Sequence, residues 1–330
     1  MPPKLTIGLP VYNGENFLKE AIESLLAQSF SDFELIVSDN ASTDSTPEIV
    51  EQFAIRDKRV KYRRHEQNVG AIRNFNCLVE VATGEYFKWA SHDDVCSPTF
   101  LAECISALDN SPNAAWAHCE SDQIDADGNS WLPRMPVDDE EIEVDETGKR
   151  SWRGIPRANF DSGSPSKRFA GVLLGTRWSV DSYGVFRTES LRRSRMLKSI
   201  YGSEKVLMGE LSLQGPMAHI PKLLFRQRVH EHASSYQDDA EELQSFASGN
   251  QGKRFFFSAR LALCWAHFGA IRHAKLSPVE RVRCYGVLAQ YVFQTKKWKR
   301  ILFSMVKRRS VGGGGKRVIE ACRDESKTST

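Results

Sequence analysis

Two adjacent aspartates, Asp93 and Asp94, follow a stretch with the composition of a buried strand, Glu85–Trp89. A buried carboxylate has to be paired or bound to a metal, so a strand that ends in charge indicates a binding site. Carboxylate oxygens at the carboxyl end of a strand suit Mg²⁺ or Mn²⁺, and such an ion suits a phosphate-bearing ligand. The alternative is structural, because Pro98 begins a helix nearby and acids favour that end of a helix.

The segments before this pair alternate between strand and helix patterns. Apolar stretches predict strands, and the amphipathic or capped stretches between them predict helices. At this spacing the alternation predicts an α/β fold with a mostly parallel sheet flanked by helices. The second strand also ends in a carboxylate, Asp39, so Asp39, Asp93 and Asp94 should gather at one edge of the sheet. The four strands are predicted at residues 5–12, 33–38, 60–64 and 85–89.

Four sequence blocks, in their order and spacing, resemble the family 2 glycosyltransferases with the GT-A fold. The blocks are Leu9–Asn13, Ser38–Asp44, Asn68–Asn74 and Ser91–Asp94. The resemblance covers about the first 120 residues and is specific because four separate motifs agree. It implies a GT-A-like, mostly parallel sheet flanked by helices, to which a C-terminal helical extension is added. It also implies an inverting transferase that uses a nucleotide-diphosphate sugar.

The resemblance further implies which residues bind the nucleotide. The backbone and ring around Pro10 and Tyr12 would receive the base, and Asp39 would accept a hydrogen bond from the base edge. Glu15 and Asp93 would lie near the ribose, while an arginine would face the base or the diphosphate. The full nucleotide-binding set is Pro10, Tyr12, Glu15, Asp39, Arg73 and Asp93.

The same resemblance implies a divalent metal cofactor, Mg²⁺ or Mn²⁺, bound by Asp94 between the two phosphates. His230 would lie over the metal and the diphosphate, with His232 at the rim. Family members usually carry an acid two positions before the last aspartate, but this sequence has His92 there. The direct ligands would then be Asp94, phosphate oxygens and water, which is normal for Mg²⁺ held by a nucleotide.

The acceptor side and the catalytic base are also implied by the resemblance. Arg177 and Trp178 occupy the place where family members bind the acceptor, although a tryptophan in the core is about as common as one that stacks on a sugar. Glu204 stands where the family has its general base, at the start of a helix that Gly215 closes. Two alternatives stay open. Glu204 could have the purely structural role of complementing the helix dipole. Glu210, on the helix face, is the second candidate for the base.

The composition excludes several classes of protein. A net charge of +3 gives no case for nucleic acid as a partner. Seven cysteines, an odd number without a CxxC pair, predict reduced thiols in a cytosol. The N-terminus carries no signal-peptide pattern, and no apolar run reaches about 18 residues. We therefore expect a cytoplasmic protein, either free or peripheral on the inner face of the membrane.

The last 90 or so residues lie outside the family pattern. Between Arg281 and Arg309 there are nine Lys or Arg residues and no acid, interleaved with aromatic and aliphatic residues. This composition is typical of a helix at an anionic membrane surface, but also of a helix that packs on the domain with a solvated basic face. The predicted boundaries are 1–235 for the glycosyltransferase domain (1–120 nucleotide-binding half, 121–165 insertion, 166–235 acceptor half), 236–310 for the helical extension and 311–330 for a flexible tail.

Taken together, the residues and the resemblance favour transfer of a sugar to an acceptor hydroxyl on a glycan or a lipid-linked acceptor, in cell-surface polysaccharide or glycolipid assembly. Two alternatives stay open. A nucleotidyltransferase would need a glycine-rich basic loop after the first strand, where Pro10–Asn13 stands. A catalytically inactive nucleotide-sugar-binding partner protein is the other alternative, because Glu204 replaces the usual aspartate.

Overall fold

In the computed structural model the described residues are 2–130, 142–144, 150–152, 159–175, 180–200, 202–230 and 259–293. Ten strands occur among them. The strands are β1 (Leu5–Val11), β2 (Phe33–Asp39), β3 (Val60–Arg64), β4 (Tyr86–Trp89), β5 (Val95–Cys96), β6 (Trp116–Ile124), β7 (Ile142–Val144), β8 (Arg150–Trp152), β9 (Val185–Arg187) and β10 (Met217–Arg228).

Eight of these strands form one mixed sheet, in the order β3-β2-β1-β4-β9-β6-β10-β5. Strands β1 to β4 pair in parallel, as do β6 and β10, while β9 and β5 join antiparallel. The predicted mostly parallel sheet flanked by helices is therefore confirmed. Parallel strands aligned in this way bring the segments after β1, β2 and β4 to one edge, which is where the candidate site lies.

Helices cover both faces of the sheet. They are α1 (Leu18–Leu26), α2 (Thr46–Arg56), α3 (Ala71–Val81), α4 (Phe100–Asp109), α5 (Pro165–Ala170), α6 (Thr188–Arg192), α7 (Ser203–Gln214), α8 (Ala259–His273) and α9 (Pro278–Val292). Helix α3 packs so closely on β1 that a Cβ at Gly8 would lie 2.9 Å from Cβ of Leu78. Only glycine fits this contact without movement of one of the elements.

Three element boundaries differ from the sequence prediction. Strand β6 continues to Ile124, although Glu120 and the acids after it predict a turn, because β10 pairs with it along its whole length. Helix α4 begins at Phe100 and not at Pro98. The helix predicted over residues 166–174 is α5 followed by a π-helical turn, Gly171–Gly175.

The helical extension is present as α8 and α9, but α8 is not the buried helix that its apolar sequence predicts. One face is buried through Ala266, Ala270 and Ile271, while Trp265 and Leu261 on the other face are 76% and 40% exposed. Helix α8 therefore has one face packed on the protein and the other face in solvent, although both faces carry apolar side chains. Among the described residues, no helix is long and apolar enough to cross a bilayer.

The chain divides into two compact units, residues 1–288 and residues 289–330. Within the first unit, Glu280 at the start of α9 accepts hydrogen bonds from the Ser166 amide at 2.8 Å and the Ser164 hydroxyl at 3.1 Å. These bonds join α9 to the N-terminus of α5. Only residues 289–293 of the second unit are described, so the predicted domain boundaries and the predicted tail stay predictions.

Candidate active site

The loops after β1 and β2 are joined by hydrogen bonds between their own side chains and main chains. The Asn13 amide donates to Oγ of Ser42 at 2.9 Å, and Oδ1 of Asn13 accepts from the Thr43 amide at 2.9 Å. Glu15 accepts from the Ser45 amide at 3.0 Å. Asn13 has a φ of 52°, a conformation that asparagine tolerates better than most residues. These bonds hold the two loops as one preformed wall.

A third loop joins this wall through Asn40. Its Nδ2 donates to Oδ1 of Asn68 at 2.9 Å, and its Oδ1 accepts from the Val69 amide at 2.8 Å. Tyr12 is 44% exposed, and Arg73 is exposed in the first turn of α3. The predicted nucleotide-binding residues are thus carried by loops that fix one another, and two of their longest side chains face solvent.

Asp39 is completely buried beneath these loops. Oδ1 accepts from the Ser42 amide at 2.8 Å, and Oδ2 accepts from the Tyr62 hydroxyl at 2.8 Å with Arg64 at 3.5 Å. Burial and this bond raise the pKa of Tyr62, so the hydroxyl remains a donor. In this structure the carboxylate has no exposed surface, and both of its oxygens contact neighbouring residues. The base-binding role of Asp39 stays a prediction.

The acidic pair is the centre of the candidate site. Asp93 and Asp94 are 9% and 6% exposed. Asp93 accepts hydrogen bonds from the Ser91 hydroxyl and, at 3.1 Å, from Nε2 of His230. Oδ1 of Asp94 accepts the Arg228 amide at 2.9 Å. The structure therefore brings His230 to the predicted site, where its Nε2 contacts Asp93, and its contact with a metal or diphosphate stays a prediction.

The two carboxyl groups ionise differently. Burial, and then the negative charge of Asp93, raise the pKa of Asp94 well above its usual value. Burial also opposes ionisation of Asp93, but the hydrogen bond from His230 and the nearby charge of His92 outweigh it and lower the pKa of Asp93. Burial and Asp93 thus disfavour the negative charge of Asp94, and a bound cation would favour it.

The described residues contain no group of three His, Cys, Asp or Glu side chains that could hold a metal ion. The metal role of Asp94 therefore stays a prediction. Mg²⁺ and Mn²⁺ are commonly held by one or two carboxylates together with phosphate oxygens and water, and the hard oxygen donors of the pair fit such an ion. Asp94 would hold it, and Asp93 would stay bonded to His230.

Glu204 lies in the first turn of α7, after Gly202, whose φ is 77°. Burial raises the pKa of Glu204. The hydroxyl of Tyr183 has a pKa raised well above its usual value by burial and then by the charges of Asp94, Asp93 and Glu204. All three carboxylates are therefore within electrostatic reach of this hydroxyl. The roles of Glu204 as base and of Asp94 as metal ligand stay predictions.

Glu210 is not the exposed helix-face residue that its position in the sequence predicts. It is 5% exposed, and its carboxylate accepts the Arg195 amide at 2.7 Å and Nε of Arg195 at 2.7 Å. Both oxygens are used in a buried ion pair, because almost every residue of α7 is buried. Glu210 has a structural partner, which leaves Glu204 as the candidate base.

Some predicted site residues lie outside the described residues, and some site residues were missed. Arg177, Trp178 and His232 belong to the first group. The second group contains Lys88. Tyr183 and Arg228 stand in stretches that resemble the acceptor side and the basic strand of the family, but the sequence assigns no role to either. The sequence gives one signal for Lys88, a lysine in the middle of an apolar strand, and that lysine is fully buried.

Comparison with known proteins gives three kinds of likeness. The family model described as glycosyl transferase family 2 matches residues 6–168. An uncharacterized glycosyltransferase of Rickettsia prowazekii is 34% identical over 129 residues, 39% of each chain. The GalNAc(5)-diNAcBac-PP-undecaprenol β-1,3-glucosyltransferase of Campylobacter jejuni is 28% identical over 207 residues, 62% of this chain and 58% of that protein. The matches therefore span less than two thirds of either relative.

Solved structures resemble this chain in fold. Staphylococcus aureus TarS in complex with UDP aligns with a TM-score of 0.59 at 17% identity, over 88% of this chain and 70% of that chain. The mannosyltransferase PcManGT of Pyrobaculum calidifontis, in complex with GDP-Man and Mn²⁺, aligns with a TM-score of 0.50 at 15% identity, over 90% and 83%. These likenesses confirm the predicted GT-A-like fold.

Proposed function

We propose that this chain, which belongs to glycosyl transferase family 2 through residues 6–168, is an inverting glycosyltransferase that uses a nucleotide-diphosphate sugar. One observation carries the proposal. The charges of Glu204 and of the acidic pair, Asp93 and Asp94, all act on the hydroxyl of Tyr183. A base and a cation-binding carboxylate in one cleft are what transfer to a hydroxyl group requires.

In the proposed reaction Glu204 accepts the proton of an acceptor hydroxyl while that oxygen attacks the anomeric carbon of the donor sugar. The new carbon–oxygen bond forms as the bond to the diphosphate breaks, and the nucleoside diphosphate leaves with the bonding electron pair. Attack opposite the leaving group inverts the anomeric carbon. A divalent ion at Asp94, when bound, would offset the charge on the departing diphosphate. The raised pKa of Glu204 makes it a stronger base than an ordinary glutamate.

The proposed donor site comprises the three joined loops with Tyr12, Asp39 and Arg73. Tyr12 offers an exposed ring to a planar base, and Arg73 offers an exposed cation to the base or diphosphate. Pro10 and Glu15 complete the base and ribose side. The complexes of TarS with UDP and of PcManGT with GDP-Man support this class of donor.

The proposed acceptor is a glycan or a lipid-linked sugar, and the proposed site of action is the cytoplasmic face of a membrane. The Campylobacter relative is named for an undecaprenol-linked acceptor, which supports this class. Leu261, Trp265 and Phe268 form an exposed apolar strip on α8, and the segment 281–309 adds nine positive charges. Apolar side chains beside basic ones are typical of peripheral attachment to anionic lipid.

The proposal is tested by incubating the chain and Mn²⁺ with UDP- and GDP-sugars and with simple glycoside or polyprenyl-phosphosugar acceptors. Glycosyl transfer with inverted anomeric configuration, read by NMR of the product, is expected. Release of pyrophosphate from a nucleoside triphosphate and a sugar phosphate would show the nucleotidyltransferase instead. Donor binding without transfer or hydrolysis would show the inactive binding protein.

A further inference from the structure

Arg228, the last residue of β10, is a cation buried at the edge of the acidic pair. Its side chain is 1% exposed, and its Nε donates to the carbonyl oxygen of Asp93 at 2.9 Å. Its main-chain amide donates to Oδ1 of Asp94, also at 2.9 Å. One residue therefore contacts both members of the pair, one through its side chain and the other through its main chain.

The same guanidinium reaches two other parts of the fold. Nη1 donates to the carbonyl oxygens of Asp125 and Ala126 at 3.1 and 2.8 Å. Nη2 pairs with Glu20 of α1 at 2.6 Å, and the group lies 4.8 Å from the centroid of the Phe17 ring. Arg228 thus joins the acidic pair to α1 and to the turn after β6.

These contacts matter because the segment 91–94 lies outside regular secondary structure. A loop that carries two close carboxylates has no helix or ladder bonds to hold it against their repulsion. Arg228 supplies a fixed donor to its main chain. The cation itself would repel a divalent ion nearby, and Glu20, whose side chain is 53% exposed, supplies the compensating charge.

We infer that Arg228 is a positioning residue: with Glu20 as its counter-charge, it holds Asp93 and Asp94 in the arrangement that a nucleoside diphosphate and its divalent ion require. The inference rests on the proposed function. Loss of the side chain removes four hydrogen bonds, to Asp93, Asp125, Ala126 and Glu20. The loops around Asn13 and Asn40 keep their own bonds, so most of the nucleotide binding without metal should be retained.

The test is calorimetric titration of the full chain with UDP and with GDP, each with and without MnCl₂. The measured quantity is the gain in nucleotide affinity that Mn²⁺ produces. Arg228→Met and Glu20→Gln should reduce this gain about tenfold or more, the usual effect of losing a partner of a metal ligand. They should lower metal-free affinity less because, among the described residues, Asp93 is the one nucleotide-binding residue that Arg228 contacts through its side chain. Arg228→Lys keeps the charge but only part of the hydrogen bonding. Its gain in affinity with Mn²⁺ should therefore lie between that of Arg228→Met and that of the wild type.

Glu23→Gln is the matched control, because Glu23 lies on the same helix, is 55% exposed and contacts only the exposed Lys19 at 4.0 Å among the ion pairs of the described residues. It should leave the gain unchanged. Repeating the Glu20→Gln titration at high salt shows how much of the effect is counter-charge, because salt screens the exposed Glu20 more than it affects the bonds of the buried Arg228. The Glu20→Gln titration also tests the inference if Arg228→Met fails to fold.

A larger or unchanged gain in Arg228→Met would overturn the inference, because a cation that acts by charge alone repels Mn²⁺ when present. Equal gains in Glu20→Gln and Glu23→Gln would overturn it too. If the wild type binds neither UDP nor GDP with Mn²⁺, the proposed function fails and the inference fails with it. If the wild type binds the nucleotide with Mn²⁺ and the variants show the same gain in affinity, the inference fails and the proposed function does not.

Discussion

The ammonium group of Lys88 donates a hydrogen bond to the main-chain carbonyl oxygen of Tyr183 at 2.5 Å. Lys88 belongs to β4, which leads into the acidic pair, and Tyr183 ends the 3₁₀ helix Val180–Tyr183 on the acceptor side. The ammonium also lies 4.6 Å and 5.3 Å from the ring centroids of Phe100 and Phe225, where cation–π attraction replaces part of its hydration. A fully buried cation thus connects the two sides of the site.

Replacing Lys88 with methionine should destabilise the protein and reduce transfer. The variant keeps most of the side-chain volume but leaves the Tyr183 carbonyl without its donor, which costs about 1–3 kcal/mol. Urea unfolding followed by circular dichroism measures this cost. Lys19→Met, at a position whose side chain is 71% exposed, should change the free energy of unfolding by less than about 0.5 kcal/mol. Equal effects of the two substitutions would contradict the prediction.

Asp94→Asn should remove the gain in nucleotide affinity that Mn²⁺ produces and leave the fold intact. The substitution keeps the shape of the side chain but removes the negative charge that a divalent ion requires. Calorimetric titration with UDP or GDP, with and without MnCl₂, measures the gain. Asp32→Asn, an exposed aspartate at the opposite end of β2, is the control. An unchanged metal-dependent affinity in the Asp94 variant would move the metal away from this residue.

Glu204→Gln should lower transfer by roughly 10²–10⁴-fold, the usual contribution of a general base, with donor binding nearly unchanged. Because burial raises the pKa of Glu204 above 4.5, wild-type activity should fall as the pH decreases through that raised value. The variant should lose this acidic limb. A pH–rate profile of both proteins measures the difference, and near wild-type activity of the variant would assign the base to another residue.

Glu210→Gln should show the opposite behaviour. Here the substitution leaves the half-buried Arg195 without its charged partner, and breaking a fully buried pair costs about 3–5 kcal/mol, which is the upper limit here. The melting temperature should therefore fall, while the rate per folded molecule stays within a few-fold of wild type. The contrast between the two glutamates separates a catalytic role on α7 from a structural one.

Stability at low pH should depend on Glu34, whose side chain is 5% exposed. Burial opposes its ionisation, but hydrogen bonds from Lys61, Thr83 and Thr6 outweigh burial and lower its pKa below 4.5. The ionised form therefore stabilises the folded state fully above pH 4.5, and this contribution is lost as the pH falls through the lower folded-state pKa. Glu34→Gln should be less stable than wild type at pH 7, with the difference narrowing below pH 4.5 in urea unfolding. A constant difference would show that ionisation is not the cause.

The sequence predicts those features of the fold and the site that depend on residues close together in the chain. Strands β1 to β4 and the position of the acidic pair follow from short apolar runs and the charges that end them. The sequence predicts an exposed Glu210, because a charged residue on a helix normally marks the solvent face. The prediction is wrong because α7 has almost no exposed face. The sequence pattern ends strand β6 too early, because acids after Cys119 interrupt the apolar run, whereas in the structure its pairing with β10 continues to Ile124.

Contacts between distant residues explain the rest. Arg228 reaches Asp93 across 135 positions of the chain and Glu20 across 208. No local pattern distinguishes it from Arg226 two residues earlier, which is exposed. Tyr183 acquires its place beside three carboxylates only when the acceptor side packs against β4. Residues whose role is to hold other residues are therefore the ones that a single sequence conceals.

The exposed strip on α8 should bind anionic membranes together with the basic segment 281–309. Trp265 is 76% exposed and stacks on Phe268 with ring centroids 5.5 Å apart, so two aromatic rings are presented side by side. Such rings enter the headgroup boundary, and each nearby Lys or Arg adds about 1 kcal/mol of attraction. Sedimentation with anionic and neutral vesicles should show binding to the anionic vesicles only, and binding should weaken at high salt.

The double substitution Trp265→Ser with Phe268→Ser should reduce this sedimentation, as should truncation after residue 275. Ile55→Ser is the matched control, because Ile55 is 86% exposed on α2, away from the basic segment in the sequence. It should leave sedimentation unchanged, since loss of an exposed apolar side chain elsewhere removes no membrane contact. Equal partitioning to both vesicle types, or no loss after truncation, would instead support a C-terminal segment that packs on the domain with its basic face in solvent.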